Sequence, residues 1–164
     1  MSGRAYLSLG SNVEPEKHLR AAIDALRARF GDIVVSPAYR TPAIGFDGPD
    51  FVNAAAIIDS DLELQPLNDW LHALEDAHGR DRSGPRFSDR TLDIDIVLFD
   101  DRVLDGAGNL RIPRPELKHA FVLRPLADIA PHVVVPGSGR TLAQLWAVHP
   151  DRDLDLVTCM LGGA

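Results

Sequence analysis

The sequence predicts an α+β protein built on a ferredoxin-like antiparallel sheet of order βαββαβ, with helices packed on the sheet and extra C-terminal elements. Alternating apolar and polar residues indicate strands at residues 4–10, 33–39, 51–58 and 91–98. Apolar residues at helical spacing follow the first and the third of these strands. Such an order favours a split βαβ sheet with its helices on one face.

The first helix is predicted to begin at Pro15. An N–H at the first helical position has no partner within the helix, so the missing N–H of proline costs nothing there. Gly31 marks the end of this helix, since glycine is the usual residue just after the last turn. The apolar residues between them recur at helical spacing and form the buried side: Leu19, Ala22, Ile23, Leu26 and Phe30.

A second helix is predicted to end at Gly79 and to bury one apolar side, formed by Leu67, Trp70, Leu71, Leu74 and Ala77. Beyond residue 100 the pattern is less regular. A short helix is predicted over residues 120–129 and a turn-rich segment over residues 131–139. Thr141 is a suitable N-cap for a further helix.

The last strand of the sheet carries two carboxylates on one face, Asp93 and Asp95. Their Cα atoms would lie roughly 6 to 7 Å apart, so both carboxylates can reach one ion or a pair of ions. Mg²⁺ suits such a site, because it binds a few carboxylates together with substrate phosphates. The alternative is a half-exposed strand with solvated charges. The residues predicted to face the core are Leu92, Ile94, Ile96 and Leu98.

An arginine-rich loop precedes this strand and contains Arg80, Arg82, Arg86 and Arg90. Guanidinium groups bind phosphate oxygens bidentately and keep their charge when partly desolvated. The alternative is a solvated loop whose arginines pair with neighbouring aspartates. No P-loop and no G-x-G-x-x-G motif is present, so a bound nucleotide would depend on arginines, metal and loops.

Composition narrows the possible functions of the 164-residue chain, which we expect to form one domain over residues 1–164. A net charge of -7 argues against a broad nucleic-acid interface. The single cysteine, Cys159, excludes an intrachain disulfide and fits a reducing compartment. We expect no signal peptide and no membrane span, and hence a cytoplasmic protein.

Five motifs in order resemble those of the 6-hydroxymethyl-7,8-dihydropterin pyrophosphokinases of folate biosynthesis. They are Leu-Gly-Ser-Asn at residues 9–12, Tyr-Arg-Thr-Pro at 39–42, Asp-Phe-Val-Asn-Ala at 50–54, Gly-Arg-x-Arg at 79–82 and Arg-Thr-Leu-Asp-Ile-Asp-Ile at 90–96. The resemblance implies Mg²⁺-dependent transfer of pyrophosphate from ATP to the pterin hydroxymethyl group, with release of AMP. It also implies a monomer that binds neither nucleic acid nor membrane and whose product passes to dihydropteroate synthase.

The resemblance also implies roles for individual residues. Asp93 and Asp95 would hold two Mg²⁺ ions, while Arg80 and Arg90 would be catalytic and neutralise charge on the transferring group. ATP would be bound by His72, Arg82, Arg86, Ile96, Arg111 and Arg114. The pterin would be bound by Thr41, Pro42, Ile44, Phe51, Asn53 and Phe121, with the two phenylalanines on either side of its ring.

The chain departs from the family pattern at three places: residues 87–89 lie between Gly-Pro-Arg and Arg90, Arg114 stands where many members have histidine, and residues 116–121 lack an arginine before the aromatic. Two other functions stay open on the sequence alone, a non-catalytic ATP-binding domain and a nucleic-acid-binding ferredoxin-like domain. Release of AMP that depends on pterin and Mg²⁺ would distinguish the enzyme from both.

Overall fold

A computed structural model describes residues 3–41, 50–79, 91–105 and 110–152, together with the backbone of residues 157–159. Its first half contains β1 (Gly3–Ser11), α1 (Pro15–Phe30), β2 (Val34–Val35), β3 (Ala38–Thr41), β4 (Phe51–Ser60) and α2 (Leu64–Ala77). The second half contains β5 (Asp93–Phe99), β6 (Leu104–Asp105), β7 (Arg111–Ile112), a 3₁₀ turn (Pro115–Lys118), α3 (Ala120–Ile129), β8 (Val134–Val135), β9 (Arg140–Thr141), α4 (Leu142–Ala147) and β10 (Val157–Cys159).

The main sheet has the strand order β10-β3-β4-β1-β5, and the short β2 also pairs with β4. Every pair in it is antiparallel. The long strands β1 and β4 lie at its centre and pair over the whole of β1, from Gly3 with Ser60 to Ser11 with Val52. The predicted ferredoxin-like sheet is confirmed, and β10 adds a strand beside β3. The single strand predicted over residues 33–39 is divided into β2 and β3.

Local sequence features account for the helix boundaries. Helix α1 begins at Pro15, as predicted, and ends before Gly31, whose φ of 84° is readily adopted only by glycine. The predicted helix over residues 120–129 is confirmed as α3. Thr141 caps α4 in a reciprocal arrangement, since its Oγ1 accepts from the Gln144 N–H at 3.1 Å and its own N–H donates to Gln144 Oε1 at 2.8 Å.

Helices cover both faces of the sheet. Helices α1 and α2 bury their apolar sides against one face, where Leu19, Leu26, Leu67 and Leu71 are fully buried. Helices α3 and α4 pack on the opposite face, in a second core. The helices of the split βαβ unit therefore lie on one face as predicted, while the covering of the second face was not predicted. Ala77 was predicted to be buried, but it is exposed in the last turn of α2.

The alternation along β5 changes near its end. Ile94 and Ile96 belong to the core under α1 and α2, but Leu98 belongs to the second core. The prediction that Leu98 shares the face of Ile96 is therefore wrong. The reason is a register shift: Leu7 pairs with Ile96 whereas Tyr6 pairs with Leu98, which leaves one extra residue in β5. Asp93 and Asp95 precede this irregularity and keep the predicted common face.

Within the residues that the structure describes, no helix combines the length and the apolar composition needed to cross a membrane.

Candidate active site

The central strand β1 separates the predicted pterin-binding strand from the predicted metal-binding strand. Gly10 pairs with Asn53 of β4 on one side and with Asp93 of β5 on the other. Ser8 pairs with Asp95 in the same way. Because directly paired residues share a face of a sheet, Asn53 and the two aspartates lie on the same face. Gly10 therefore lies between the groups that the sequence assigns to the two substrates.

Three carboxylates meet beside β5. The candidate ligand oxygens of Glu75, Asp93 and Asp95 all lie within 4.8 Å of one another. Glu75 is only 2 % exposed, and its Oε2 accepts a hydrogen bond from the Ile94 N–H at 2.7 Å. Asp93 and Asp95 are half-buried. Three convergent carboxylate oxygens are the ligand type that Mg²⁺ prefers, so the residues present fit this ion.

Glu75 was missed in the sequence analysis, although the sequence contains a sign of it. The buried residues of α2 are Leu64, Leu67, Leu71 and Glu75, which all fall on one side of the helix. A carboxylate at a position of the apolar side needs a partner, because an isolated buried charge is costly. The neighbours of Glu75 within the described residues include Ile94, Asp93 and Asp95 of β5, which lies beyond the arginine-rich loop, so they could not be predicted from the helix alone.

The electrostatic environment of Asp95 disfavours its negative charge. Burial and the neighbouring carboxylate of Asp93 raise the pKa of Asp95 to about 8. Arg114 opposes this shift, since its guanidinium lies 3.4 Å from Asp95 Oδ1. The same guanidinium lies 3.0 Å from Glu116 Oε2. A bound cation would supply the positive charge that favours the ionised form of Asp95.

This raised pKa predicts a pH-dependent stability of the metal-free protein. The folded state keeps the Asp95 proton up to about pH 8, whereas an unfolded aspartate loses it near pH 4. The stability contributed by this proton is complete below about pH 4 and is lost as the pH rises to about 8. Thermal unfolding in EDTA should therefore show a melting temperature that falls toward pH 9, by several degrees more than in Asp95→Asn. Parallel curves for the two proteins would contradict the assignment.

The described residues of the predicted pterin pocket lie on adjacent elements. Asn53 is 5 % exposed, and its Nδ2 donates to Thr41 Oγ1 at 3.3 Å. Phe51 is half-buried at the start of β4 and pairs with Thr41. Phe121 is half-buried at the start of α3, which packs against β3 and β4, and its ring stacks on His119 with centroids 5.0 Å apart. Pro42 and Ile44 lie outside the described residues.

The residues predicted to be catalytic or to bind ATP fall into two groups. Arg80, Arg82, Arg86 and Arg90, together with the unusual residues 87–89, lie outside the described part of the chain. The described ones are His72, half-buried on α2, Ile96, Arg111 and Arg114.

The structure places the side chains of Ile96 and Arg111 against residues other than the carboxylates of Glu75, Asp93 and Asp95. Ile96 is 2 % exposed in the core, so its side chain is inaccessible to a ligand. Arg111 is exposed and pairs with Asp105 at 3.3 Å in the β6-β7 hairpin. Of the four described residues, the structure brings Arg114 into ion-pair distance of the carboxylates.

Comparison with known proteins identifies one matching family and several relatives that share one name. The model of the family described as 7,8-dihydro-6-hydroxymethylpterin-pyrophosphokinase (HPPK) matches residues 6–131. A protein of Pseudomonas aeruginosa named 2-amino-4-hydroxy-6-hydroxymethyldihydropteridine pyrophosphokinase is 42% identical over 156 residues, covering 92% of this chain and 94% of its own length. Proteins of the same name from Synechocystis sp. and Haemophilus influenzae are 37% and 36% identical, covering 92% and 82% of this chain and 83% and 86% of their own lengths.

Solved structures show the same fold in a larger protein. A Plasmodium falciparum HPPK-DHPS triple mutant superposes with a TM-score of 0.70 at 14% identity. An HPPK-DHPS structure in complex with substrates gives a TM-score of 0.68 at 13% identity. This chain is covered to 90% in both cases, but it spans only 43% and 44% of those chains. At such identities the likeness establishes the fold alone.

Proposed function

The chain belongs to the 7,8-dihydro-6-hydroxymethylpterin-pyrophosphokinase family, and we propose that the residues along the outer edge of β5 carry out the family's reaction in it. The enzyme transfers a pyrophosphoryl group from its co-substrate ATP to 6-hydroxymethyl-7,8-dihydropterin, a step of folate biosynthesis. The convergence of Glu75, Asp93 and Asp95 is the observation that best supports this location of the site.

Asp93 and Asp95, together with Glu75, are the proposed ligands of Mg²⁺, with two ions expected. Bound Mg²⁺ would neutralise phosphate charge and hold the triphosphate of ATP in place. The half-buried position of the carboxylates favours such binding, because water screens their charges only in part. The hydrogen bond from Ile94 fixes the Glu75 carboxylate before any ligand arrives.

The transfer itself requires positioning and charge neutralisation more than covalent help. The hydroxymethyl oxygen would attack the β-phosphorus of ATP, and the bond from this phosphorus to the oxygen of the α-phosphate would break. AMP leaves with that oxygen. Arg80 and Arg90 are proposed to neutralise the charge that develops on the transferring group, and we assign no general base.

Contacts to the nucleotide are proposed along the outer edge of β5. The Ile94 N–H points away from β1 toward Glu75, and residues two apart in a strand direct their main-chain groups to the same side. The main chain of Ile96 therefore faces this edge and can bind ATP although its side chain is buried. Arg114 follows β7 at the same edge, where its N–H donates to the Val97 carbonyl at 2.9 Å. His72, Arg82, Arg86 and Arg111 remain proposed further contacts.

The pterin is proposed to lie over Asn53, between Phe51 and Phe121, with Thr41, Pro42 and Ile44 completing its pocket. The Asn53 amide offers both donors and an acceptor, which suits the amide and amine edge of a pterin. The Thr41 hydroxyl orients this amide. The pairing of Gly10 with both Asn53 and Asp93 supports a short path from the pterin to the phosphates.

Gly10→Ala should weaken pterin binding. A Cβ at this position would lie 2.7 Å from Asn53 Oδ1, which is too close for the amide to keep its position. We expect the KM for the pterin to rise about tenfold, which corresponds to one hydrogen bond, while the KM for ATP changes little. Steady-state kinetics with each substrate varied in turn measures both values.

Gly3→Ala is the matched control for Gly10→Ala. It adds a methyl to the other end of β1, where the Cβ would overlap the Phe99 ring. Both variants should lose about 1 to 3 kcal/mol of stability through overpacking, but only Gly10→Ala should change the KM for the pterin. Equal effects on both KM values in Gly10→Ala would contradict the proposed position of Asn53.

An assay of AMP formation tests the proposed site as a whole. Purified protein is incubated with ATP, Mg²⁺ and the reduced hydroxymethylpterin, and AMP is quantified with each component omitted in turn. AMP should form only when all three are present. Bound ATP without AMP formation would favour a non-catalytic nucleotide-binding domain. We further propose that residues 1–164 act as one monomeric cytoplasmic domain whose product passes to dihydropteroate synthase.

A further inference from the structure

We propose that Arg114 is a resident counter-ion of the carboxylate site, one that opposes binding of a free divalent cation and favours a cation that arrives with the nucleotide. The inference rests on the proposed function, because it takes Asp95 as a metal ligand and Arg114 as a phosphate contact. It adds a role in coupling the two binding events.

The main chain and the side chain of Arg114 are both held in place. Its N–H donates to the Val97 carbonyl, which ties the residue to the edge of β5. Its side chain is only 16% exposed and lies between Asp95 at 3.4 Å and Glu116 at 3.0 Å. A largely buried guanidinium between two carboxylates has little freedom to move, and its position is within ion-pair distance of a proposed metal ligand.

The charges around Asp95 explain why a counter-ion is needed. The candidate ligand oxygens of Glu75, Asp93 and Asp95 lie within 4.8 Å of one another, and Arg114 brings a positive charge to within 3.4 Å of Asp95 Oδ1. Like charges packed this closely are unfavourable unless a cation compensates them. In the absence of metal, Arg114 supplies part of that compensation.

The position of Arg114 has opposite consequences for a free divalent cation and for a nucleotide that carries its cation. A divalent cation that approaches Asp95 alone meets the positive charge of Arg114 and has to displace it from its partner. A nucleotide with its cation brings phosphate oxygens, to which the guanidinium can turn while Glu116 still holds its other side. By linkage, a group that weakens one ligand alone and strengthens the pair makes their binding cooperative.

Titration calorimetry on the full chain tests this role. The metal-free wild type and Arg114→Gln are titrated with MgCl₂ alone, and then with α,β-methylene-ATP at saturating Mg²⁺. All titrations are done in one buffer at the same pH and ionic strength, so that the proteins differ only in the substituted side chain. Arg102→Gln is the control, because it removes the same charge from an exposed pair with Glu63 at the far end of β5.

Arg114→Gln should bind Mg²⁺ alone about tenfold more tightly than the wild type and the nucleotide analogue about tenfold more weakly. Arg102→Gln should change neither value. If Arg114 had a purely structural role, Arg114→Gln would bind both Mg²⁺ and the nucleotide analogue more weakly. Unchanged or weaker binding of Mg²⁺ alone therefore overturns the inference. Arg114→Lys keeps the charge and should retain the wild-type affinity for Mg²⁺. If Arg114→Gln does not fold, Arg114→Lys is tested instead, and a tenfold higher affinity of Arg114→Lys for Mg²⁺ overturns the inference.

Asp95→Asn separates this inference from the proposed function. If this variant binds Mg²⁺ as the wild type does, the metal site is elsewhere and both proposals fail. If it loses Mg²⁺ binding while Arg114→Gln behaves as the wild type, the metal site stands and only the counter-ion role fails.

Discussion

Asp95→Ala should lower the rate of pyrophosphoryl transfer at least about a thousandfold, the scale on which single charge-stabilising groups act in such reactions. Asp95 belongs to the carboxylate cluster with Glu75 and Asp93, and its Oδ1 lies 3.4 Å from the Arg114 guanidinium. Without it, the two remaining carboxylates cannot hold the triphosphate and its cation in the same arrangement. Saturating Mg²⁺ should therefore not restore the rate.

The stability of Asp95→Ala should change in the opposite sense to its activity. Burial and Asp93 raise the pKa of Asp95 to about 8, so its carboxylate is unfavourable in the metal-free folded state above that pH. We expect a melting temperature in EDTA near pH 9 that is equal to or above that of the wild type. This outcome would show that the loss of activity does not come from unfolding.

Asp59→Asn is the matched control for Asp95→Ala. Asp59 is also a strand aspartate, but it is exposed and pairs with Arg4 at 3.0 Å, near the other end of the sheet. Its replacement should leave turnover within about twofold of the wild type, as expected for an exposed ion pair. Normal turnover of Asp95→Ala at saturating Mg²⁺ would remove Asp95 from the proposed site.

Features of the fold that depend on neighbouring residues were predicted from the sequence. Pro15 and Gly31 mark the ends of α1 because both act through the backbone of their own turn. The common face of Asp93 and Asp95 follows from the period of a strand and holds as far as Ile96. These predictions required no knowledge of what packs against each element.

Features that depend on contacts between distant segments were not predicted. The face of Leu98 depends on an extra residue in β5 relative to β1, and nothing in the residues around Leu98 reveals it. The role of Glu75 depends on where α2 lies against β5. The second layer of helices depends on how α3 returns to the sheet. Individual residues likewise could not reveal that a pterin accepts the pyrophosphoryl group. This was inferred from the resemblance of the five motifs to the family.

Glu75→Gln should separate the charge of this side chain from its hydrogen bond. Glutamine keeps an oxygen that can accept from the Ile94 N–H, but it removes the negative charge from the carboxylate cluster. We expect Mg²⁺ affinity to fall about 10- to 100-fold, with a melting temperature close to that of the wild type. Calorimetric titration with MgCl₂ and thermal unfolding in EDTA measure the two quantities.

Glu75→Ala and Glu63→Gln complete this experiment. Alanine removes both the charge and the oxygen that accepts from the buried Ile94 N–H. Glu75→Ala should therefore lose about 1 to 3 kcal/mol more stability than Glu75→Gln. Glu63 precedes the first turn of the same helix and pairs with Arg102, so Glu63→Gln should leave Mg²⁺ affinity unchanged. If Glu75→Gln binds Mg²⁺ like Glu63→Gln, the buried carboxylate serves only to anchor β5 to α2, and Asp93 and Asp95 hold the metal without it.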